Sequence, residues 1–373
     1  MSKAIPPMQR RPGGIAVRSC TTSIHDLTTT GFMRRSVYLL SRTGSLRRLR
    51  RVELELPPPG DDEVTVEVRG IGLNFADVFT ILGLYRAAPK RNCIPGIEFS
   101  GVVAALGRDV TGFRIGERVM GSIRFGAYAT HLNISPQYLL PLPSGWTDAE
   151  GASFIVQALT AYYALVRLGN LQRGQTVLIH SAAGGVGLYA NRIARQLGAF
   201  TIGTVGIPAK VPLLRAEGCN EAIVRRRRFD IQLRDALGGR QLDLVLDSVG
   251  GRVQRDSFNA LATTGRMVAY GLSEFSSRRA TPDYMRLALR LLAMPRYSTL
   301  TLIESNRSVL GFNLIWLYDR VDELRRMLNE IAALQLPKPI VGGTFPFERL
   351  PEAVRTLQSG TTTGKIVVLN DAG

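Results

Sequence analysis

A glycine-rich turn between two apolar segments has the residue types and spacing of a phosphate-binding loop. It reads Ser181-Ala182-Ala183-Gly184-Gly185-Val186-Gly187 and joins an apolar run at 176–180 to a segment, 186–197, whose apolar residues recur with helical spacing. In that setting Gly184 lets the backbone approach a pyrophosphate, Gly187 lets the helix pack close to the strand, and the helix N-terminus offers free N–H groups. The turn predicts a dinucleotide site at Ala183, Gly184, Gly185, Val186 and Gly187; the alternative is a tight turn without a ligand.

The residues that follow the second apolar run, 201–205, bear on the choice between NAD and NADP. An Asp or Glu at the end of that strand would bond the ribose 2′-hydroxyl and repel a 2′-phosphate, but residues 203–209 contain no acid. Lys210 follows at once, and Arg225 stands after the next helical segment, so both side chains are candidates for the same phosphate. This pattern favours NADPH, while an ordinary surface cation remains the alternative interpretation for each residue.

Histidine and cysteine offer little further chemistry. His180 ends the apolar run before the glycine turn, which favours hydrogen bonding within the turn over proton transfer. His131 is interpreted as a surface or packing residue. The three cysteines, Cys20, Cys93 and Cys219, are too few and too widely spaced for a disulfide framework or a structural zinc site. This usage favours a reducing compartment, and we expect a cytoplasmic protein.

The residues discussed above lie in two regions of the chain that differ in their predicted secondary structure. From Met33 to about residue 154, alternating apolar residues and many Gly and Pro predict short strands with tight turns. From about residue 157, apolar runs alternate with helical segments, the pattern of a doubly wound parallel sheet. These runs are 176–180, 201–205, 242–246 and 267–270. A last strand, 365–369, is expected to rejoin the first region.

The chain therefore divides into three predicted parts. A Rossmann dinucleotide-binding domain spans 157–315, and a β-rich domain is built from 33–156 and 316–373. Residues 1–32 lack periodicity and are predicted to be a disordered or non-native tail, with Met33 as the natural start. A transit segment is the rival interpretation, because the tail is rich in Arg and Ser/Thr and nearly free of acids.

The formal charge of +17 does not by itself indicate a nucleic-acid partner. Residues 1–51 hold eleven Lys/Arg against one acid, and only five of the 47 basic residues in the chain are lysines. The basic run 225–228 has no interleaved aromatic residues, as single-strand binding would require. No stretch reaches the roughly 20 consecutive apolar residues of a membrane helix. We therefore expect neither a nucleic-acid partner nor a transmembrane segment.

The chain resembles the quinone oxidoreductase group of the medium-chain dehydrogenase/reductases, including the synaptic vesicle membrane protein homologues. The resemblance covers about 33–370. Its motifs, in order, are 72–77, 83–85, 95–101, 116–119, 159–162, 180–187, 247–251 and 311–313. It implies an α/β protein with a Rossmann domain, a GroES-like catalytic domain made of both chain ends, and a cleft between them for the nicotinamide.

The same resemblance implies roles for individual residues. Asn74 and Tyr85 are the implied catalytic residues that line the cleft, with packing as the alternative role for Tyr85. Apolar residues around Tyr85 indicate a small apolar substrate. The implied cofactor contacts beyond the glycine turn are Thr160, Thr204, Lys210, Arg225, Val249, Gly250, Gly271 and Asn313.

Zinc chemistry is excluded at the positions where related dehydrogenases hold the metal. Those enzymes carry Cys, His and Cys where Asn74, Ile97 and Val156 stand, and none of these three side chains is a thiolate or an imidazole. We expect no metal site. The chain departs from the group at two positions, with Ile81 in place of a frequent Arg and Arg225 in place of a frequent Tyr. The first departure leaves open how polar the substrate side of the cleft is. The second leaves open how the adenosine of the cofactor is packed.

The leading hypothesis is hydride transfer from NADPH to a quinone or another conjugated carbonyl, without zinc. An enoyl or alkenal double-bond reductase is the alternative, and a non-catalytic NADPH-binding interaction protein is a second one. The segment 311–314 is predicted to be an apolar strand at the edge of the cofactor sheet, where a second copy would cover it. We therefore expect a homodimer.

Overall fold

The structure, a computed structural model, describes residues 32–276 and 279–370. Apart from Phe32, the segment predicted to be a tail lies outside the described residues. The remaining chain forms strands and helices in two groups, one around a parallel sheet and one around a mostly antiparallel sheet. Mixed α/β architecture of this kind confirms the predicted fold class.

The strands and helices have the following bounds. The strands are β1 (Met33–Arg42), β2 (Leu49–Leu56), β3 (Val64–Gly72), β4 (Arg91–Cys93), β5 (Glu98–Leu106), β6 (Arg118–Ser122), β7 (His131–Ile134), β8 (Leu139–Pro141), β9 (Thr176–Ile179), β10 (Phe200–Val205), β11 (Glu221–Val224), β12 (Leu242–Asp247), β13 (Leu261–Ala269), β14 (Ser308–Gly311), β15 (Val341–Pro346) and β16 (Lys365–Leu369). The helices are α1 (Phe75–Ile81), α2 (Asp148–Gly151), α3 (Ile155–Tyr162), α4 (Gly185–Gln196), α5 (Val211–Ala216), α6 (Phe229–Leu237), α7 (Gly251–Ala260), α8 (Tyr284–Leu292), α9 (Thr299–Ser305), α10 (Val321–Ala333) and α11 (Leu350–Gln358).

The cofactor sheet has six parallel strands in the order β11-β10-β9-β12-β13-β14. After β9 the chain adds β10 and β11 on one side, and it then returns to add β12, β13 and β14 on the other. The strand order therefore reverses between β9 and β12. In doubly wound sheets, ligands bind outside the carboxyl ends of the strands at such a point.

The second sheet brings the two ends of the chain together. Its strands lie in the order β15-β16-β3-β5-β6-β8, with β7 paired to β3, and a three-stranded sheet, β2-β1-β4, accompanies it. Strand β16 runs antiparallel to β3, with Val367 opposite Gly72. This register brings Lys365, at the start of β16, beside the residue that follows β3 by two positions, Asn74.

One helical stretch among the described residues, Asp148–Leu168, is long and apolar enough to cross a membrane. Most of it is buried inside the protein. Its second part, α3, is completely buried, and its residues belong to the same apolar core as those of α4 and β9. The length and composition of this stretch are therefore explained by a place in the core.

Candidate functional site

The glycine turn lies at the reversal of strand order, between β9 and α4. Gly184 is the N-cap of α4, and a Cβ atom added there would have only the Ser181 carbonyl oxygen nearby, at 3.3 Å. A Cβ on Gly187 would come within 2.5 Å of the Ala182 Cα, so only glycine allows this helix to approach the strand so closely. The first N–H groups of a helix have no partner within it. The turn therefore has the open backbone and the free donors that a pyrophosphate needs.

The C-terminal segment of the catalytic part closes over the same turn. Gly364, just before β16, donates its N–H to the Ala183 carbonyl oxygen at 2.8 Å, and it forms an isolated parallel bridge with Gly184. The two parts of the fold are thus joined by backbone at the predicted cofactor loop.

A second loop faces the turn across the reversal of strand order, after β12. The Asp247 carboxylate accepts the N–H groups of Val249 at 2.9 Å and Gly250 at 3.2 Å, which fixes the loop backbone. Gly250 has a φ of 83°, a conformation that favours glycine. Gly271, after β13, lies against Ser248, whose carbonyl oxygen would be 3.1 Å from an added Cβ. Three predicted cofactor residues, Val249, Gly250 and Gly271, therefore border the carboxyl ends of neighbouring strands.

Two cations lie together beyond the end of β10. Lys210 is nearly buried, and its Nζ donates to the Gly360 carbonyl oxygen at 2.8 Å. Burial and the charge of Arg225 both lower the pKa of Lys210. Neither residue forms an ion pair with a carboxylate among the described residues. Burial lowers the pKa of Arg225, and the charge of Asp247 acts against this effect by raising it. Two adjacent cations with no carboxylate at ion-pair distance among the described residues are an arrangement that a 2′-phosphate would stabilise.

Thr204 differs from the other predicted contacts because its side chain is turned inward. Its Oγ1 accepts the guanidinium N–H of Arg225 at 2.6 Å and lies 2.9 Å from the His180 Nδ1. The other ring nitrogen of His180 lies 2.9 Å from the Ser257 hydroxyl. Burial lowers the pKa of His180 far below its usual value. His180 is therefore a neutral hydrogen-bonding residue, and the Thr204 hydroxyl, predicted to contact the cofactor, contacts Arg225 and His180 instead.

Tyr85 and Asn313, predicted separately for catalysis and for cofactor binding, are in direct contact. The Tyr85 hydroxyl donates to the Asn313 Oδ1 at 2.8 Å, which joins the loop after α1 to the segment after β14. The Tyr85 ring also meets Phe125 edge to face at 6.4 Å. Burial raises the pKa of Tyr85 to about 12. The hydroxyl therefore stays protonated near neutral pH and is a hydrogen-bond donor, not a base.

Asn74 is the N-cap of α1, and its side chain is fixed from three directions. The Oδ1 accepts the Lys365 ammonium at 2.7 Å and the Gln157 amide at 3.0 Å. The Nδ2 donates to the Gly72 carbonyl oxygen at 3.0 Å. Since an amide nitrogen carries two protons, one N–H of Asn74 remains for another acceptor. The orientation of the amide is determined, because its oxygen faces two groups that only donate.

Sequence reasoning missed the buried ion pair behind Asn74. The Lys365 Nζ lies 2.7 Å from the Glu98 Oε2, and the side chains are 4% and 0% exposed. Glu98 also accepts the Gln157 amide at 2.8 Å and the Val156 backbone N–H at 2.9 Å. Glu98 precedes Val156 by 58 residues and Lys365 by 267. Because these residues are far apart in the chain, no local sequence pattern predicts the cluster.

Asp77 adds a titratable group to the same buried region. Its carboxylate accepts the Asn74 backbone N–H at 2.8 Å, which completes the cap of α1. Burial raises the pKa of Asp77 to about 7, although Lys365 lowers it. The position where the related family frequently has Arg holds Ile81, whose side chain is 1% exposed and belongs to the core.

Thr160 is buried near this cluster, whereas Gly185 and Val186 in the glycine turn are half-buried. Thr160 lies on α3, within the same helix as Gln157. A Cβ on Gly185 would lie 3.1 Å from the Gln157 Oε1, so α3 passes directly beside the glycine turn.

Among the described residues, no group of three or more His, Cys, Asp or Glu side chains is arranged to hold a metal ion.

Comparison with known proteins places this geometry in context. Residues 60–144 match the family described as the alcohol dehydrogenase GroES-like domain, and residues 218–368 match the zinc-binding dehydrogenase family. The synaptic vesicle membrane protein VAT-1 homolog of Rattus norvegicus is 30% identical over 316 residues, which cover 84% of this chain and 78% of that protein.

Two solved structures have the same fold. The Escherichia coli quinone oxidoreductase complexed with NADPH superposes with a TM-score of 0.77 and 27% identity, covering 90% of this chain and 99% of that chain. The CurK enoyl reductase gives a TM-score of 0.77 and 26% identity, with the same coverage of both chains. These similarities confirm the family predicted from the sequence motifs.

Proposed function

Because the chain belongs to the zinc-independent medium-chain dehydrogenase/reductases of the quinone oxidoreductase type, we propose that it reduces a quinone or another conjugated carbonyl with NADPH. It is an oxidoreductase, and NADPH is its cofactor, as in the Escherichia coli neighbour. We further propose that it works as a homodimer in the cytoplasm. The substrate class is inferred from the residues beside the cleft.

The residues present fit NADPH. The open backbone at Gly184 and the free N–H groups of α4 suit the pyrophosphate. Lys210 and Arg225 supply two positive charges beyond β10 for the 2′-phosphate, and their mutual repulsion would be relieved by it. Val249, Gly250 and Gly271 would hold the nicotinamide half through their backbone. When bound, NADPH supplies the hydride.

Asn74 and Tyr85 are two neutral hydrogen-bond donors for the carbonyl oxygen of the proposed substrate. The remaining N–H of Asn74 is held in one orientation by Lys365 and Gln157. The Tyr85 hydroxyl, now donated to Asn313, can exchange that bond for an acceptor oxygen at little cost, because both are neutral hydrogen bonds. Fixed donors of this kind stabilise the negative charge that develops on a carbonyl oxygen as hydride arrives.

The observation that carries the proposal is that the site offers the neutral donors Asn74 and Tyr85, while the other two positions of the zinc ligands hold the apolar residues Ile97 and Val156. Oxidation of a simple alcohol needs zinc or a base of lowered pKa to remove the hydroxyl proton, whereas the pKa of Tyr85 is raised to about 12. A quinone or enone absorbs the charge through its own conjugation. It therefore needs only positioning and a hydrogen bond, which Asn74 and Tyr85 provide.

Reduction of a carbon–carbon double bond is the second candidate, supported by the likeness to the CurK enoyl reductase. Both reactions deliver hydride to a conjugated system and differ in the acceptor carbon. A panel of ortho- and para-quinones, enones and α,β-unsaturated thioesters, followed by NADPH absorbance with product analysis, distinguishes them. Turnover of quinones with formation of hydroquinone supports the proposal. Turnover restricted to thioesters, with saturated products, would replace it by the second candidate.

A further inference from the structure

A cavity of about 380 Å³ opens beside the proposed acceptor site. One wall is Leu84, the neighbour of Tyr85 in sequence, and another is Phe275. The Phe275 ring lies 3.5 Å from where a Cβ of Gly250 would stand, so this wall also borders a proposed cofactor loop. The volume is within the range of small-molecule sites. The cavity therefore borders the loop that carries Tyr85 and the proposed cofactor loop at Gly250.

The charge inside the cavity is unbalanced. Three arginines and one aspartate line it. Arg279 lies 3.5 Å from the Asp283 carboxylate, which is thereby shared with the first turn of α8, where it accepts the Arg286 backbone N–H. The guanidinium groups of Arg286 and Arg290 form no hydrogen bond or ion pair with any residue that the structure describes.

Helix α8 contributes Arg286, Leu287 and Arg290 to the lining of the cavity. Arg286 is exposed and Arg290 is half-buried, and the two lie one turn apart on the same face. Met285, Leu289 and Leu292, on the rest of the helix, are 78%, 63% and 72% exposed. Like charges one turn apart destabilise a helix. An anion between the two guanidinium groups would remove this repulsion.

The phosphates of the cofactor are proposed to bind elsewhere, at the N-terminus of α4 and at Lys210 with Arg225, and none of those residues lines this cavity. We infer that Arg286 and Arg290 bind a phosphate group carried by the acceptor, at the far end of an apolar chain from its conjugated carbonyl. Leu84 and Phe275 contact that chain. Two adjacent guanidinium forks match a phosphate dianion. The inference rests on the proposed function, which it extends to a substrate class.

Matched acceptors test the subsite directly. 3-Nonen-2-one is compared with enones of the same and neighbouring chain lengths that end in a phosphate. The wild-type protein is expected to show a kcat/KM at least about 10-fold higher for one phosphate-terminated length, because charge-assisted hydrogen bonds form only when the chain spans the distance. The absence of any preference for phosphate would overturn the inference.

Variants assign the effect to the two arginines. Arg286→Gln/Arg290→Gln should abolish the preference and leave turnover of 3-nonen-2-one within about twofold of wild type. The control Arg234→Gln/Arg326→Gln removes the same charge from exposed helical positions outside the cavity and should keep the preference. An equal loss for neutral and phosphate-terminated enones in the cavity variant would show a structural role and contradict the subsite.

A binding measurement distinguishes the case in which the proposed phosphate subsite is wrong from the case in which the proposed reaction is wrong. The saturated ketone that ends in phosphate, titrated by calorimetry into NADPH-loaded protein, should bind wild type at least about 10-fold more tightly than the cavity variant, whether or not any enone is reduced. Reductase inactivity with this binding intact would contradict the proposed function alone. Inorganic phosphate binding as tightly as the ketone would identify a site for the free ion and overturn the inference.

Discussion

The Tyr85 hydroxyl and the Asn313 amide oxygen are 2.8 Å apart, although 228 residues separate them in the chain. The tyrosine follows α1 of the catalytic part, and the asparagine follows the edge strand of the cofactor sheet. A proposed hydrogen-bond donor and a proposed cofactor contact are thus in direct contact. We propose that this contact couples the acceptor side of the site to the cofactor side.

The first prediction concerns the hydroxyl of Tyr85. Tyr85→Phe should lower kcat for quinone reduction about 10-fold or more, because a donor to the developing oxyanion is lost, while the KM for NADPH changes little. Steady-state kinetics check this. Tyr284→Phe, which removes an exposed hydroxyl on α8, is the matched control. Full activity of Tyr85→Phe would show that the Tyr85 hydroxyl has no role in the reaction and that the residue only lines the pocket.

The second prediction concerns cofactor choice. Lys210→Ala should raise the Kd for NADPH by about 10- to 150-fold and leave that for NADH nearly unchanged, since a charge-assisted contact is worth about 1.5–3 kcal/mol. Fluorescence titration measures both constants. Lys90→Ala, an exposed lysine of the catalytic part, should change neither. If both cofactors lose affinity equally, Lys210 does not contact the 2′-phosphate.

The third prediction concerns the buried pair Glu98 and Lys365. Lys365→Met should lower the free energy of unfolding by about 3–5 kcal/mol, because it leaves a buried carboxylate without its partner. Glu98→Gln/Lys365→Met should lose markedly less, since the Glu98 carboxylate is then no longer left without its partner. Urea denaturation checks both variants. Arg349→Met, which breaks the exposed pair with Glu352, should cost less than about 1 kcal/mol. Additive effects of the two buried substitutions would contradict the coupling.

The fourth prediction concerns assembly. Strand β14 is one of the two edges of the cofactor sheet, and helices α8 and α9, which precede it in the chain, expose apolar side chains, including Leu292 and Ile303. Open edges and apolar patches of this kind are normally covered. We expect a homodimer joined at this edge, with a mass near twice 40.8 kDa in light scattering. A monomer at micromolar concentration would contradict this arrangement.

The sequence predicted those features that depend on neighbouring residues. The glycine turn and the strand and helix on either side of it are local features, so the Rossmann architecture could be predicted from them. The lack of an acid near Lys210 is local too, and it favoured NADPH. Strand β11 was missed, because its four residues begin with a charged Glu221 and give no clear periodicity. The edge strand, predicted at 311–314, lies at Ser308–Gly311 instead.

Residues brought together by pairing of distant strands could not be predicted. Lys365 reaches Glu98 and Asn74 only because β16 pairs with β3 in one register. The place of Arg286 and Arg290 beside a cavity is equally invisible in the sequence, since the cavity is formed with Leu84 and Phe275 from distant parts of the chain. In both cases tertiary packing determines which side chains meet, and the local sequence pattern does not contain that information.

The central claim is hydride transfer from NADPH to a conjugated acceptor without a metal. The direct measurement is NADPH oxidation by the purified protein with 1,4-naphthoquinone and with 3-nonen-2-one, in the presence of EDTA, beside NADP reduction with ethanol. We expect turnover of a conjugated acceptor that the chelator does not diminish, and no oxidation of ethanol. Ethanol oxidation at rates that match quinone reduction, or activity lost with EDTA and restored by zinc, would contradict the account.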